Sequence, residues 1–165
     1  MAFEDDIATL AGAPLFIVME YEALRLFAFA AEHRTLRQGE ILFREGDKSH
    51  GGFVVMKGGI LVAAKRGSEA FLAAPGALIG QTALFSQSIR AGTATAGQNS
   101  SVFRISPTLM RRVLQEFPSS AKAVQVALSI ELSMLCVGLE HVRQRLLSIE
   151  PSTCLPAEEV REAVL

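Results

Sequence analysis

Cysteine and histidine are scarce in this sequence, and its net charge is close to zero. It has two cysteines and three histidines, and no histidine lies at metal-ligand spacing from another histidine or a cysteine. The sequence therefore predicts no metal site, and we interpret Cys136 and Cys154 as reduced thiols. The formal net charge of -1 gives no overall attraction for nucleic acid, whose binding domains usually carry a basic excess. Direct DNA binding is not expected.

Targeting and catalytic motifs are also missing. Residues 1–6 are acidic and lack the apolar run of a signal peptide. The longest uncharged stretch, residues 70–89, is interrupted by proline and glycine, so a membrane span is not expected there. There is no Walker lysine loop, nucleophile elbow or dinucleotide glycine fingerprint. These absences favour a cytoplasmic protein that is not an enzyme, with no catalytic residue, no cofactor and no membrane partner.

What the sequence does contain is a series of short apolar runs separated by glycine and polar residues. Half of the residues are hydrophobic, enough for one packed core and a further apolar surface. The runs fall at residues 41–43, 53–56, 60–64, 70–73, 93–96 and 102–105. Many short strands of this kind predict an antiparallel sandwich, barrel or roll. We therefore expect a mainly β fold with flanking helices, the roll covering about residues 32–106.

Two of the flanking helices are predicted next to the roll. Apolar residues at helical spacing place the first at residues 20–31. The second is predicted over residues 107–117, because Ser106 followed by Pro107 is a favourable helix start, a capping hydroxyl before a proline at the first helical position.

The third helix, predicted over residues 119–148, carries a heptad pattern. Ser119 and Ser120 can cap its first turn. Its apolar residues are spaced alternately four and three apart, as in a coiled-coil seam. The seam residues are Leu128, Leu132, Leu135, Leu139, Val142 and Leu146. The pattern favours a homodimer through this helix over a helix packed only on its own domain, which would usually be shorter and have a broader apolar stripe.

The segment most informative about function runs from Pro75 to Thr93. Gly80 permits a tight turn, and the short helical turn after it is predicted to present unpaired backbone N–H groups that form a local anion site. These N–H groups belong to Thr82, Ala83 and Leu84. Arg90 adds a planar charged fork that can bind a phosphate through two hydrogen bonds, each contributing about 1.5–3 kcal/mol. Because an isolated loop arginine is more often a solvated surface residue, this interpretation depends on the surrounding sequence.

Four segments together share their pattern with a known family. The stretch Gly80-Gln-Thr-Ala-Leu84, a short loop, and Arg90-Ala-Gly-Thr93 match the family's Gly-Glu-x-Ala-Leu and Arg-Ala-Ala-Thr without a gap. Residues 10–16, 39–47 and 53–58 match its opening, its glycine-bounded strand and turn, and the next pair of strands. The sequence thus resembles the cyclic-nucleotide-binding domains, the family of the catabolite activator protein and the regulatory subunits of cyclic-AMP-dependent protein kinase.

The resemblance covers nearly the whole chain and implies a fold and a ligand. The fold would be a jelly-roll-like β-roll followed by a long C-terminal dimerisation helix, within one domain of residues 1–150, before a short tail of residues 151–165. Arg90 would hold the cyclic phosphate together with the backbone N–H groups of Ala83 and Leu84. The other residues implied at the ligand are Val62 beneath the sugar and base, Gly80, Gln81, Thr82 and Ala91.

Four further features bear on the ligand and its pocket. In the family a hydroxyl residue after the arginine tends to favour guanine, so Ala91 favours cyclic AMP, with cyclic GMP as the alternative. Leu135 and Cys136 would cap the base in a dimer. Gln81 stands where the family usually has a glutamate that accepts a hydrogen bond from the ribose 2'-hydroxyl, and glutamine can still accept through its carbonyl at a loss of about 1 kcal/mol. Ile89 replaces a proline that is common in the family before the arginine, which removes a fixed φ from the loop.

Three functions are compatible with these features. The first is a dimeric sensor that binds a cyclic nucleotide and signals through its C-terminal helices to a downstream protein. The second is a degenerate roll that binds no nucleotide and serves as a dimerisation or protein-interaction scaffold. The third is the ligand-sensing part of a truncated transcriptional regulator, since bacterial regulators of this type continue into a helix-turn-helix domain for which the residues after Glu150 are too few.

Overall fold

The computed structural model of the protein describes residues 2–63 and 70–148. The chain divides into two compact units, Met1–Ala127 and Leu128–Leu165. The predicted tail, residues 151–165, and Cys154 within it lie outside the described residues. The assignment of residues 1–150 to one domain stays a prediction.

Two four-stranded antiparallel sheets form the centre of the first unit. Their strands are β1 (Glu32–Leu36), β2 (Ile41–Phe43), β3 (Gly52–Lys57), β4 (Ile60–Ala63), β5 (Phe71–Ala73), β6 (Leu78–Ile79), β7 (Thr93–Ala96) and β8 (Ser100–Ile105). The first sheet has the order β1-β8-β3-β6 and the second the order β2-β7-β4-β5. This arrangement confirms the predicted mainly β roll. Strands β1 and β6 are not predicted from the sequence.

The core of the roll lies between the two sheets, because alternate side chains of each strand point inwards. In β7, for example, Ala94 and Ala96 are buried while Thr93 and Thr95 are half-buried. The buried core residues are Leu36, Leu42, Phe53, Val55, Ile60, Ala73, Ile79, Ala94, Ala96 and Val102. Phe43, Val62 and Ala77 pack against this core and are partly exposed.

Within residues 2–63 and 70–148 the α-helices are α1 (Ala2–Ala11), α2 (Tyr21–Ala30), α3 (Pro107–Glu116) and α4 (Pro118–Leu147). Three of them confirm predicted helices, whereas α1 is not predicted. Its acidic first turn suits a helix N-terminus, and its apolar residues Ile7 and Leu10 are buried at helical spacing.

Two serines near the ends of helices behave differently. Ser106 caps α3 as predicted, because its side chain accepts a hydrogen bond from the N–H group of Leu109 at 3.1 Å. Ser120 is buried and accepts from the N–H group of Glu20 at 3.0 Å, at the start of α2. The predicted capping role of Ser120 in α4 is therefore wrong, since its oxygen supports a different helix.

The second unit contains the C-terminal part of α4, whose side chains are exposed from Ser129 onwards. By length and composition alone α4 could cross a membrane, with a mean hydropathy of 1.5 over its most apolar window. A single helix of this kind is weak evidence of a membrane span, and the heptad seam uses many of the same residues.

We expect Ser106→Ala to lower the free energy of unfolding by about 1 kcal/mol, because it removes the hydrogen bond that caps α3. Thr108→Ala is the matched control, since Thr108 is exposed in the same turn and alanine is the better helix former. Urea unfolding of both variants measures the difference. Equal stability of the two variants would contradict the capping role.

Candidate functional site

The segment between β6 and β7 folds as a tight turn against the roll. Gly80 has a φ of 76°, in the left-handed region, and the 3-10 helix Gln81–Leu84 follows it. Ala83 and Leu84 are buried, which anchors this turn. A Cβ on Gly52 would lie only 3.0 Å from Cδ2 of Leu84, so the glycine in β3 lets the turn approach the sheet closely.

The N–H group of Ala83, predicted as a phosphate donor, already has a partner. It donates to the carbonyl oxygen of Gly80 at 3.0 Å within the 3-10 turn. A phosphate could use this N–H group only if the bond were shared or the turn rearranged. The part of the prediction that treats it as an unpaired donor is therefore wrong for this conformation, because the 3-10 turn uses the group itself.

Arg90 lies almost completely buried beside this turn, with 7% of its surface exposed. Its Nη2 donates to the carbonyl oxygen of Gly51 at 2.6 Å. Its guanidinium carbon lies 4.3 Å from the ring centre of Phe43 and 5.3 Å from that of Phe53. A Cβ on Gly80 would collide with Nη1 of Arg90. The turn, the loop before β3 and two aromatic rings thus hold the guanidinium group in place.

Backbone hydrogen bonds also hold Arg90, and nearby charges act on its guanidinium group. Its N–H group donates to the carbonyl oxygen of Asp47 at 2.9 Å, and its carbonyl oxygen accepts from Gly46 at 2.9 Å. Burial lowers the pKa of the Arg90 guanidinium group; the nearby Asp47 opposes this shift, and Arg104 adds to it. Arginine nevertheless stays charged in proteins, so this is a buried cation.

An apolar row on the inner face of the second sheet leads away from Arg90. Phe43 and Val62 both pair with Ala94, and Val62 also pairs with Phe71. Directly paired residues of neighbouring strands lie on the same face. Ala94 is fully buried, whereas Phe71 is 57% exposed, so the inner face opens to solvent at this row. The row forms an apolar wall beside a buried cation, an arrangement that suits a ligand with an anionic group and an apolar body.

Residues 33–117 match the family model of the cyclic nucleotide-binding domain, which covers more than half of the chain. The chain belongs to the cyclic-nucleotide-binding domain family. Among curated proteins, none matches the chain.

Solved structures of this family have the same fold. A cyclic nucleotide-binding-like protein from Brucella abortus is 36% identical with a TM-score of 0.60, covering 67% of this chain and 98% of that one. The N-terminal domain of a Streptomyces coelicolor transcriptional regulator is 24% identical with a TM-score of 0.72, covering 79% and 94%. The regulatory domain of Toxoplasma gondii PKA, solved with cAMP, is 20% identical with a TM-score of 0.61, covering 68% and 44%. The latter two share the fold alone.

The cyclic-nucleotide-binding domain brings together some of the residues predicted at the ligand. Arg90 and Gly80 are in contact, and Val62 lies on the wall that begins at Phe43. Thr82 and Ala91 are exposed at the surface of the segment, and Gln81 is half-buried. Leu135 and Cys136 lie in the second unit with exposed side chains, so their role as base caps stays a prediction.

A cavity of about 170 Å³ adjoins Arg90 in this domain. It is lined by Arg34, Leu42, Phe43, Asp47, Lys48, His50, Phe53, Arg90 and Arg104. Its volume is below the roughly 300–1,000 Å³ of small-molecule sites, so a nucleotide would enter it only in part or after Arg90 moves. A larger cavity of about 630 Å³ lies at the other end of β8 and contains none of the predicted ligand residues.

Several residues at this site are not predicted from the sequence. Phe43 and Phe53 are recognisable from the sequence only as strand residues, although aromatic rings are common partners of arginine. Arg34 and Arg104 belong to strands that are distant in sequence, and nothing in the sequence places them beside Arg90. Among the residues that the structure describes, no group of three His, Cys, Asp or Glu side chains could hold a metal ion.

We expect Gly80→Ala to be more destabilising than Gly39→Ala. Both glycines have left-handed backbones, with φ values of 76° and 82°, so both variants should lose about 1–2 kcal/mol through strain. A Cβ at position 39 meets open space, whereas one at position 80 collides with Arg90 and should cost about 1 kcal/mol more. Urea unfolding measures both losses. An equal loss would show that the Arg90 side chain yields to the added methyl group without cost, against the fixed position described above.

Proposed function

We propose that this protein is a cytoplasmic sensor that binds a cyclic nucleotide, with cyclic AMP preferred over cyclic GMP, and that it has no catalytic activity. The observation that carries the proposal is the buried guanidinium group of Arg90 beside the Gly80 turn and at the start of the apolar wall. The fold shared with a regulatory domain solved with cAMP supports the choice of ligand class. Ala91, which offers no hydroxyl group to a guanine, supports the preference for adenine.

Binding exchanges one partner of Arg90 for another. In the structure the guanidinium group donates to the neutral carbonyl oxygen of Gly51, which a phosphodiester would replace. A phosphodiester is the stronger acceptor because both partners of the new bond are charged, and such bonds contribute about 1.5–3 kcal/mol each. The sugar and base would then lie against Phe43 and Val62, with the ribose hydroxyl donating to the side-chain carbonyl of Gln81.

The signal would pass from the turn to α3. Leu84 and Phe85 line a cleft of about 240 Å³ together with Met110 and Leu114 of α3. A shift of the turn that fills or opens this cleft would move α3 and the start of α4 that follows it. The nucleotide must bind one arrangement of these helices more tightly than the other, because equal affinity would shift no equilibrium.

We further propose that the exposed part of α4 forms a homodimer in solution, by which a downstream partner protein can recognise the state of the sensor. The seam from Leu128 to Leu146 repeats the four-three spacing of a coiled coil. All of its members from Leu132 onwards are more than half exposed in the single chain. Such a continuous apolar stripe on one helix is a usual sign of a protein interface.

We expect Arg90→Ala to weaken cyclic AMP binding at least tenfold, because the phosphate loses its charged partner. Arg112→Ala is the matched control, since Arg112 is exposed on α3. Titration calorimetry measures the affinity, and thermal unfolding checks that the variant folds. Arg90→Lys, which keeps the charge but loses the fork, should bind with intermediate affinity.

Either of two results would count against this function. Unchanged binding by a folded Arg90→Ala variant would refute the assigned site. Absence of heat and of thermal stabilisation by millimolar cyclic AMP or cyclic GMP in the unaltered protein would leave the roll as a scaffold.

We expect Leu139→Glu to convert the dimer into a monomer, because it places a charge in the seam. Val137→Glu should leave the dimer intact, since Val137 lies on the opposite side of α4 while being 72% exposed, compared with 69% for Leu139. Sedimentation equilibrium measures the mass of each variant. Loss of the dimer in both variants, or in neither, would contradict the seam.

A further inference from the structure

The cavity beside Arg90 has more positive charge than one cyclic phosphate requires. Its lining contains four cationic side chains, from Arg34, Lys48, Arg90 and Arg104, against the single carboxylate of Asp47. His50 also lines the cavity. A cyclic mononucleotide carries one negative charge, which Arg90 alone can match.

The strand register explains how two of these arginines reach the cavity. Arg104 pairs with Phe53, and Arg34 pairs with Val102. Because directly paired residues share a face, both arginines lie on the inner face of the first sheet, where Phe53 and Val102 are core residues. Arg34 is half-buried, and the Arg104 side chain is 33% exposed. The inner face of the roll thus changes from apolar to cationic at this end.

Part of this charge is not neutralised by the protein. Arg104 pairs with Glu32, with 2.6 Å between Nη1 and Oε2. Oδ2 of Asp47 accepts a hydrogen bond from the N–H group of Arg44 at 2.8 Å. Arg34 and Lys48 form no ion pair within residues 2–63 and 70–148. Like charges that converge on a small, partly desolvated space repel one another, and a bound anion relieves that repulsion.

We propose that this cationic cavity is a second phosphate subsite, formed by Arg34, Lys48 and Arg104 next to Arg90, and that the preferred ligand carries two phosphate groups. The cavity of about 170 Å³ has room for a charged group rather than for a base. Arg34 supplies a planar fork that matches phosphate oxygens, and Lys48 supplies a point charge. Arg104 would exchange its hydrogen bonds to Glu32 and to the carbonyl oxygen of His50 for bonds to phosphate. The placement of the nucleotide rests on the proposed function, whereas the phosphate subsite does not.

Titration calorimetry at fixed ionic strength tests the subsite with four probes. Cyclic AMP supplies one phosphate charge, and a cyclic dinucleotide, adenosine 5'-diphosphate and inorganic pyrophosphate each supply two phosphate groups in different frameworks. We expect at least one of the two nucleotide probes with two phosphates to bind at least tenfold more tightly than cyclic AMP, and pyrophosphate to bind measurably. The probe that binds most tightly identifies the molecular framework in which the site prefers its two phosphate groups. No gain over cyclic AMP for any of the three would overturn the subsite.

The variants Arg34→Gln and Arg104→Gln provide the second test, with Arg112→Gln as the control for removal of an exposed arginine. Each cavity variant should lower the ratio of two-phosphate to one-phosphate affinity at least fivefold, and the control should leave this ratio unchanged. Equal losses for all ligands would overturn the subsite, because they would show a general electrostatic effect. Thermal unfolding in the absence of ligand verifies that each variant is folded.

The outcomes separate this inference from the proposed function. Pyrophosphate binding that depends on Arg34 and Arg104, without any binding of cyclic AMP, would support the subsite and refute the nucleotide sensor of the proposed function. Cyclic AMP binding that depends on Arg90, without any gain from a second phosphate, would support the sensor and refute the subsite. Absence of binding by every probe would refute both.

Discussion

The burial of a single charge, the guanidinium group of Arg90, constrains the structure around it. A charge removed from water is costly unless polar groups replace its hydration, and here the carbonyl oxygen of Gly51 and the ring of Phe43 provide part of that replacement. The absence of a Cβ at position 80 leaves room for Nη1 where it lies in the structure. Backbone hydrogen bonds to Gly46 and Asp47 then fix the loop from which the side chain extends. The turn, the loop before β3 and the end of β2 therefore meet at one point.

The parts of the fold that follow local rules could be predicted from the sequence. Strands β3 and β7 are recognisable because their apolar residues are continuous or alternate with period two, and α3 because Ser106 and Pro107 form a helix start. The proximity of Gly80 to Arg90 also follows from a short motif. What could not be predicted is the choice of hydrogen-bond partner: Ser120 supports α2 rather than its own helix, and Ala83 donates within its own turn. Such choices depend on groups that are brought together only by the tertiary fold.

The failure to predict β1 has a more specific physical cause. A strand with one buried face should alternate apolar and polar residues, but Glu32 and Arg34 occupy two of the inward positions of β1, and only Leu36 is apolar there. Arg104 likewise places a charged side chain where an apolar one is expected, in β8, the strand that pairs with β1. Local patterns tend to fail where function requires an unfavourable residue. Arg34 and Arg104 thus both depart from the pattern and line the cationic cavity.

The net charge of the protein and the local distribution of its charges are two different properties, and composition gives only the first. With a formal net charge of -1, the protein as a whole produces little electrostatic attraction for a polyanion. The distribution of that charge is uneven, since four cations and one carboxylate line the cavity, while carboxylates such as those of Glu4 and Asp5 are exposed on α1. Within a small cavity the effective dielectric constant is lower than in water, so the local charges act more strongly on a ligand than the distant ones that cancel them in the total. A nearly neutral chain can therefore select a small, highly charged anion while having no general affinity for nucleic acid.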